Sequence, residues 1–233
     1  MKSIAVLAAM QRELESVLEL FSSVNPKKIE IHGMPIYVFM YKETELILAL
    51  SGVGRANTAM NAALIAREFK PSEMINVGTA GGMQHNQKIL DIVIPREVVA
   101  LDVDLTALGC EYGQILGDPR SYFTDIKMQE KLITAAKGLT TVHTGLVGSS
   151  ETFVCRQELV LEIHRRFYGK VSCVEMEAFS IGVVCSRFEI PFAVIRSLSD
   201  VPAKGEGNEN DFNAFMGTAS KNAAQLLYKY ILE

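Results

Sequence analysis

The stretch Val171-Ser172-Cys173-Val174-Glu175-Met176-Glu177-Ala178 decides how the chain is read. Its apolar, β-branched start has the character of a short strand, and it halts at two carboxylates that flank a methionine. Behind them Ala178, Ile181, Val184, Cys185 and Phe188 recur at three- and four-residue spacing, which predicts a helix with that face on the core. Glu175 and Glu177 therefore stand at a strand-to-helix junction. The helix dipole alone favours acids there, so the position suits a cap as well as a ligand-facing carboxylate.

Outward from this junction, strands and helices alternate, the pattern of an α/β domain. Residues 3–9 (SIAVLAA) form a near-continuous apolar run, as expected of a strand covered on both faces. A helix follows with Leu14, Val17, Leu18 and Phe21 on its core face. Strands are expected over residues 28–32, 36–41 and 46–51, with a hairpin turn at His32-Gly33-Met34-Pro35. Ser51-Gly52-Val53-Gly54-Arg55 reads as a glycine-bearing turn ahead of a helix with a small-residue face of Ala59, Ala62, Ala63 and Ala66. Residues 73–77 make a buried strand that opens into a Gly-rich turn, Gly78-Thr79-Ala80-Gly81-Gly82. Such a turn lets backbone N–H groups approach a ligand, although it also serves chain geometry alone.

Further on, residues 89–99 and 140–147 read as strands, 102–114 as a loop or edge, and 127–137 and 157–167 as helices. Residues 148–153 form a second small-residue loop after a strand. The last strand, 192–198, carries Ser199-Asp200 at its carboxyl end, where α/β sheets bind their ligands. The polar segment 204–210 is a loop, and the final helix sets Phe212, Phe215, Met216, Ala219, Ala223 and Leu227 on one face.

With 233 residues, 48% of them apolar, the chain suits one domain (1–233) with a sizeable core. A net charge of −4 gives no reason to expect nucleic-acid or anionic-membrane partners. The four cysteines (Cys110, Cys155, Cys173, Cys185) include no CxxC pair, and Cys173 and Cys185 sit in apolar runs as buried thiols. That usage suits a reducing, cytoplasmic setting. The apolar start is too short for a signal peptide and is followed at once by Arg12, Glu13 and Glu15.

In chain order, the elements Ala9-Met10-Gln11-Arg12-Glu13, Asn76 to Gly82, Asp102 to Ala107, Glu111 to Gln114, Gly145 to Phe153, Val174 to Ala178 and Arg196 to Asp200 resemble the bacterial 5′-methylthioadenosine/S-adenosylhomocysteine nucleosidases, within the nucleoside phosphorylase superfamily. The resemblance implies a three-layer α/β/α fold with a mixed, barrel-like central sheet, usually as a homodimer. It implies hydrolysis of the bond between adenine and a 5′-thio-substituted ribose, with no metal or cofactor.

By that resemblance Asp200 is the general acid for adenine N7, and Glu13 activates the attacking water. Glu177 holds the ribose hydroxyls beside Glu175, Met176 packs on the sugar, and Arg196 orders carboxylates and water. Thr79 contacts the ribose side, with Ala80, Gly81 and Ser199 beside it; Phe153 stacks on adenine, Val154 bonds it through its backbone, and Phe212 closes over the ligand. Leu105 and Leu108 reach the partner subunit's pocket.

The chain departs from the family pattern in places. Ala100-Leu101 replaces a Tyr-His pair, and Leu108 and Cys110 replace aromatics, which bears on preference for the 5′-substituent. Other readings remain open at this level: a purine nucleoside phosphorylase, a non-catalytic nucleoside-binding paralogue, or a nucleosidase for another 5′-substituted adenosine such as aminodeoxyfutalosine. A phosphorylase needs a cationic cradle for phosphate, and relatives of that kind carry an arginine where Asn76 stands.

Overall fold

The Gly-rich run after Val77 does not turn. A computed structural model describes residues 2–205 and 208–232, and in it Glu73–Gly82 is one unbroken strand. The elements are β1 (Lys2–Ala8), α1 (Gln11–Leu20), β2 (Lys27–Ile31), β3 (Met34–Tyr41), β4 (Thr44–Leu50), α2 (Arg55–Phe69), β5 (Glu73–Gly82), β6 (Ile92–Val93), β7 (Glu97–Ala100), β8 (Ser121–Phe123), α3 (Ile126–Ala135), β9 (Val142–His143), β10 (Leu146–Ser149), α4 (Gln157–Arg166), β11 (Val171–Glu175), α5 (Ala178–Phe188), β12 (Phe192–Asp200) and α6 (Asn208–Leu232).

Pairing explains why the glycines of β5 stay extended. On one edge Gly78, Thr79 and Ala80 register with Arg196, Ser197 and Leu198 of β12. On the other edge β1 pairs with Glu73–Asn76, and β11 then takes over antiparallel at Gly81 and Gly82. The change of partner splits the mixed sheet, ordered β2-β3-β4-β1-β5-β11-β10-β7-β8, and curls it around β5. Gly78 is needed for close approach: a Cβ there would lie 2.7 Å from Glu13 Oε1 and would overlap the Arg196 guanidinium.

Helices cover both faces, giving three layers. Leu14 and Val17 of α1, Leu132 of α3 and Leu227 of α6 share one buried cluster with β1 and β5. Ala62 and Ile65 of α2 and Phe179 and Ile181 of α5 join a second on the opposite face. The β2–β3 hairpin turns as expected, with positive φ at His32 (49°) and Gly33 (81°), the twist that a two-residue hairpin prefers.

Several expectations need correction. Gly148 and Ser149 belong to β10, paired with β7 and β11, and not to a loop. Residues 89–99 and 140–147 each break into two short strands, because β6 and β9 pair with each other while β7 and β10 join the main sheet. Phe188 (44%) and Phe215 (37%) are exposed, and Met216 is half-buried, so those helical faces run past the core they cover. Within segment 204–210, α6 begins at Asn208, and Glu206 and Gly207 lie outside the described residues. Cys173 and Cys185 are buried free thiols; Cys110 and Cys155 are half-buried and also free. Among the described residues no helix is long and apolar enough to cross a membrane.

Candidate active site

The carboxyl ends of β1, β4, β5, β11 and β12 converge on a cleft of about 550 Å³. Its walls are Ala9, Met10, Glu13, Val53, Thr79, Ala80, Gly81, Phe153, Val174, Glu175, Met176, Glu177, Ser199, Asp200 and Phe212. A smaller recess of about 250 Å³ adjoins it, bounded by Gly81, Phe153, Val154, Met176 and Asp200 among others. Val154 thus faces the recess and not the main cleft.

Glu13, in the first turn of α1, is buried and fully engaged. Its Oε2 accepts from the N–H groups of Ala9 (3.1 Å) and Met10 (3.0 Å). Its Oε1 accepts from the Thr79 N–H (2.9 Å) and hydroxyl (3.2 Å). Burial raises its pKa above the usual carboxylate range, against the Arg196 charge and these bonds.

The two acids of the Glu-Met-Glu element do different things. Glu175 Oε2 accepts from the N–H groups of Glu177 (2.9 Å) and Ala178 (2.8 Å), and from Arg196 Nη2 (2.5 Å). Its Oε1 accepts from the Ser149 hydroxyl, whose oxygen takes the Phe179 N–H at 2.8 Å. Although it borders the cleft, Glu175 is the cap of α5. Glu177 has one oxygen on the Gly54 N–H (3.0 Å) and the other 3.6 Å from Arg196 Nη2. Burial first, and then the charge of Glu175, push its pKa up to about 8.

Asp200 closes β12 and is 1% exposed. Its Oδ1 accepts from the Ser199 hydroxyl at 2.7 Å, while Oδ2 has no protein partner despite its burial. Burial pushes its pKa up to about 6, with the Ser199 bond opposing and the charge of Asp211 adding. A buried carboxyl oxygen with nothing to bond is costly unless a ligand supplies a partner.

Arg196 does not line the cleft. It lies beneath it at 1% exposure, bonded to Glu175 and to Asn76 Oδ1. Among the described residues no lysine or arginine lines the cleft. Phe153 and Phe212 meet edge-to-face over the mouth with ring centroids 5.4 Å apart. Leu105 and Leu108 lie elsewhere: Leu105 is half-buried, and Leu108, in the single helical turn Thr106–Leu108, is 64% exposed.

Sequence reasoning passed over Ala9, Met10 and Val53 as lining, Ser149 as the support of Glu175, and the Gly54 N–H on Glu177. The glycine turn at residues 51–55, at the carboxyl end of β4, was the available signal for Val53 and Gly54.

A split mixed sheet with buried carboxylates at its strand ends defines a protein of the nucleoside phosphorylase fold, and the model of the Phosphorylase superfamily matches residues 3–232. A relative from Lysinibacillus sphaericus, a 5′-methylthioadenosine/S-adenosylhomocysteine nucleosidase, is 37% identical over 98% of each chain. The solved nucleosidase of that name from Neisseria meningitidis, in complex with methylthio-immucillin-A, superposes with TM-score 0.91 at 35% identity, covering 99% of both chains. A futalosine hydrolase of Helicobacter pylori also superposes, with TM-score 0.93 at 27% identity over 99% of this chain and 97% of that one. The chain belongs to the 5′-methylthioadenosine/S-adenosylhomocysteine nucleosidase family.

Proposed function

We propose that this protein hydrolyses the N-glycosidic bond of 5′-methylthioadenosine and S-adenosylhomocysteine, releasing adenine and the 5′-thio-ribose. The observation that carries the reading is Asp200 Oδ2, buried, unpartnered and bordering both the cleft and its recess.

Adenine occupies the recess, stacked by Phe153 and bonded by the Val154 backbone. Protonated Asp200 gives its proton to N7, so the N9–C1′ electron pair leaves with a neutral base. The ribose becomes oxocarbenium-like, and the carboxylates of the cleft favour that charge. Glu177 holds the ribose hydroxyls, Met176 packs on the sugar, and Thr79 contacts it from β5. Water adds to C1′ and yields its proton to Glu13, whose burial-raised pKa suits a base. Arg196 holds the carboxylate array from below through Glu175. Ala80, Gly81 and Ser199 complete the wall, and Phe212 closes over the ligand.

No metal or cofactor takes part in this scheme. The protein works as a cytoplasmic homodimer, a setting supported by its free cysteines. Exposed Leu108, with Leu105, supports a contribution from that segment to the partner subunit's pocket.

Adenine release from 5′-methylthioadenosine, S-adenosylhomocysteine and 5′-deoxyadenosine, with and without phosphate, tests the reading. Phosphate-independent release with free sugar is expected. Phosphate-dependent release with ribose 1-phosphate points to a phosphorylase; release only from a futalosine-type nucleoside moves the substrate assignment there.

A further inference from the structure

We infer that Arg55 is a positioning residue that holds the adenine-covering segment and the sugar-facing Glu177 in one fixed relation. This rests on the nucleosidase reading above. Arg55 opens α2, and three segments meet on it. Its backbone N–H and its Nε both reach Glu151 Oε1, at 2.7 and 3.3 Å. Its Nη2 lies 2.7 Å from Asp102 Oδ1. The other Asp102 oxygen accepts from the Glu151 N–H at 3.0 Å, which closes the ring.

Two of the members adjoin the site. One residue before Arg55, the Gly54 N–H bonds Glu177. Two residues after Glu151 stands Phe153, which covers the mouth. Gly54 adopts φ +88°, and a Cβ there would sit 2.7 Å from Glu151 Oε2, so turn and loop touch directly. The Arg55 carbonyl accepts from the Ser180 hydroxyl at 2.9 Å, tying the ring to α5 behind Glu177. Three charges of mixed sign, two of them on separate loops, make a planar fork the natural clasp, since arginine can serve two carboxylates at once.

The test is a double-mutant cycle on Arg55→Ala and Phe153→Leu, read by adenine release from 5′-methylthioadenosine after the wild type is assayed. Arg55→Ala is expected to raise KM about fivefold, the size of one partly exposed ion-pair network. The change in kcat should be smaller, because Asp200 and Glu13 are untouched. The double variant should be little worse than Phe153→Leu alone, because both changes act through the same aromatic cover. Arg55→Lys, with charge but no fork, should recover less than half of the loss. Strictly additive KM effects, or an unchanged KM in Arg55→Ala that melts like the wild type, overturn the inference. If Arg55→Ala melts early, Asp102→Asn carries the same cycle. A wild type without turnover refutes the nucleosidase reading, and the cycle measured on adenine affinity by calorimetry then decides Arg55 by the same criterion.

Discussion

Thr79 delivers both of its hydrogen bonds to a single oxygen of Glu13, the N–H at 2.9 Å and the hydroxyl at 3.2 Å. With Ala9 and Met10 on the other oxygen, the roughly four lone-pair sites of the carboxylate are all occupied. Three of the donors are backbone groups and cannot leave. The Thr79 hydroxyl alone can rotate away, so in the proposed mechanism its position on Glu13 is the one open to the attacking water.

Thr79→Val should therefore leave kcat within about threefold and raise KM about fivefold, the value of one lost hydrogen bond to the ribose side. Steady-state adenine release separates the two constants. A kcat fall above a hundredfold at constant KM would instead make the hydroxyl part of water activation.

Asp200→Asn should lower kcat by about 10²–10⁴, the usual contribution of a general acid, while adenine binding persists. In the wild type, kcat/KM should decline as pH rises through about 6, where Asp200 loses its proton. A flat profile across that region, or ready turnover by the variant, refutes the acid role.

The stability of the ligand-free protein should also follow these protons. Asp200 (3.8 raised to about 6) and Glu177 (4.5 raised to about 8) bind protons more tightly folded than unfolded. Their stabilising contribution is complete below the unfolded values and is lost as pH rises, over 3.8 to 6 and 4.5 to 8 respectively. For Asp200 this amounts to at most about 3 kcal/mol. Thermal melts across this range should slope downward, and Asp200→Asn should flatten the acidic part and melt above the wild type at pH 7.

Glu175→Gln and Glu177→Gln should separate cleanly. The first weakens the cap of α5 and strips Arg196 of its closest carboxylate, costing about 3 kcal/mol of stability. The second should keep or raise the melting temperature and yet lower kcat, because burial raises the pKa of Glu177 and its side chain lines the cleft. Equal melting losses in both would contradict the division of labour between them.

Gly78→Ala places a methyl against Glu13 Oε1 and the Arg196 guanidinium. Overpacking of this kind costs about 1–3 kcal/mol, and here it displaces the carboxylate proposed as the base as well. Lower thermal stability together with lost turnover is expected, and an unaffected kcat would show that the array can shift.

Much of this was legible from the residues. The apolar runs gave β1, β5, β11 and β12, and the helical spacing of Leu14, Val17 and Phe21 gave α1, because buried elements leave strong periodic signals. The Glu-Met-Glu junction was visible too, though which acid capped α5 and which faced the cleft was not, since both satisfy the same local rule. The glycines of β5 were misread because a lone stretch of Gly-Thr-Ala-Gly-Gly signals a turn, and only its partners β11 and β12, roughly a hundred residues on, keep it straight. Pairing at such range leaves no local trace. The same holds for the Arg55 ring, whose members come from three separate segments.

Among the described residues no lysine or arginine lines the cleft, and under the hydrolytic reading proposed above this has a thermodynamic consequence. Hydrolysis passes the ribosyl group to water, and the sugar departs as a free hemiacetal. A phosphate ester at C1′ would have kept the sugar activated for transfer to another base. In hydrolysis that activation is dissipated, so the proposed reaction runs in one direction, and reuse of its sugar product would need a separate phosphate donor.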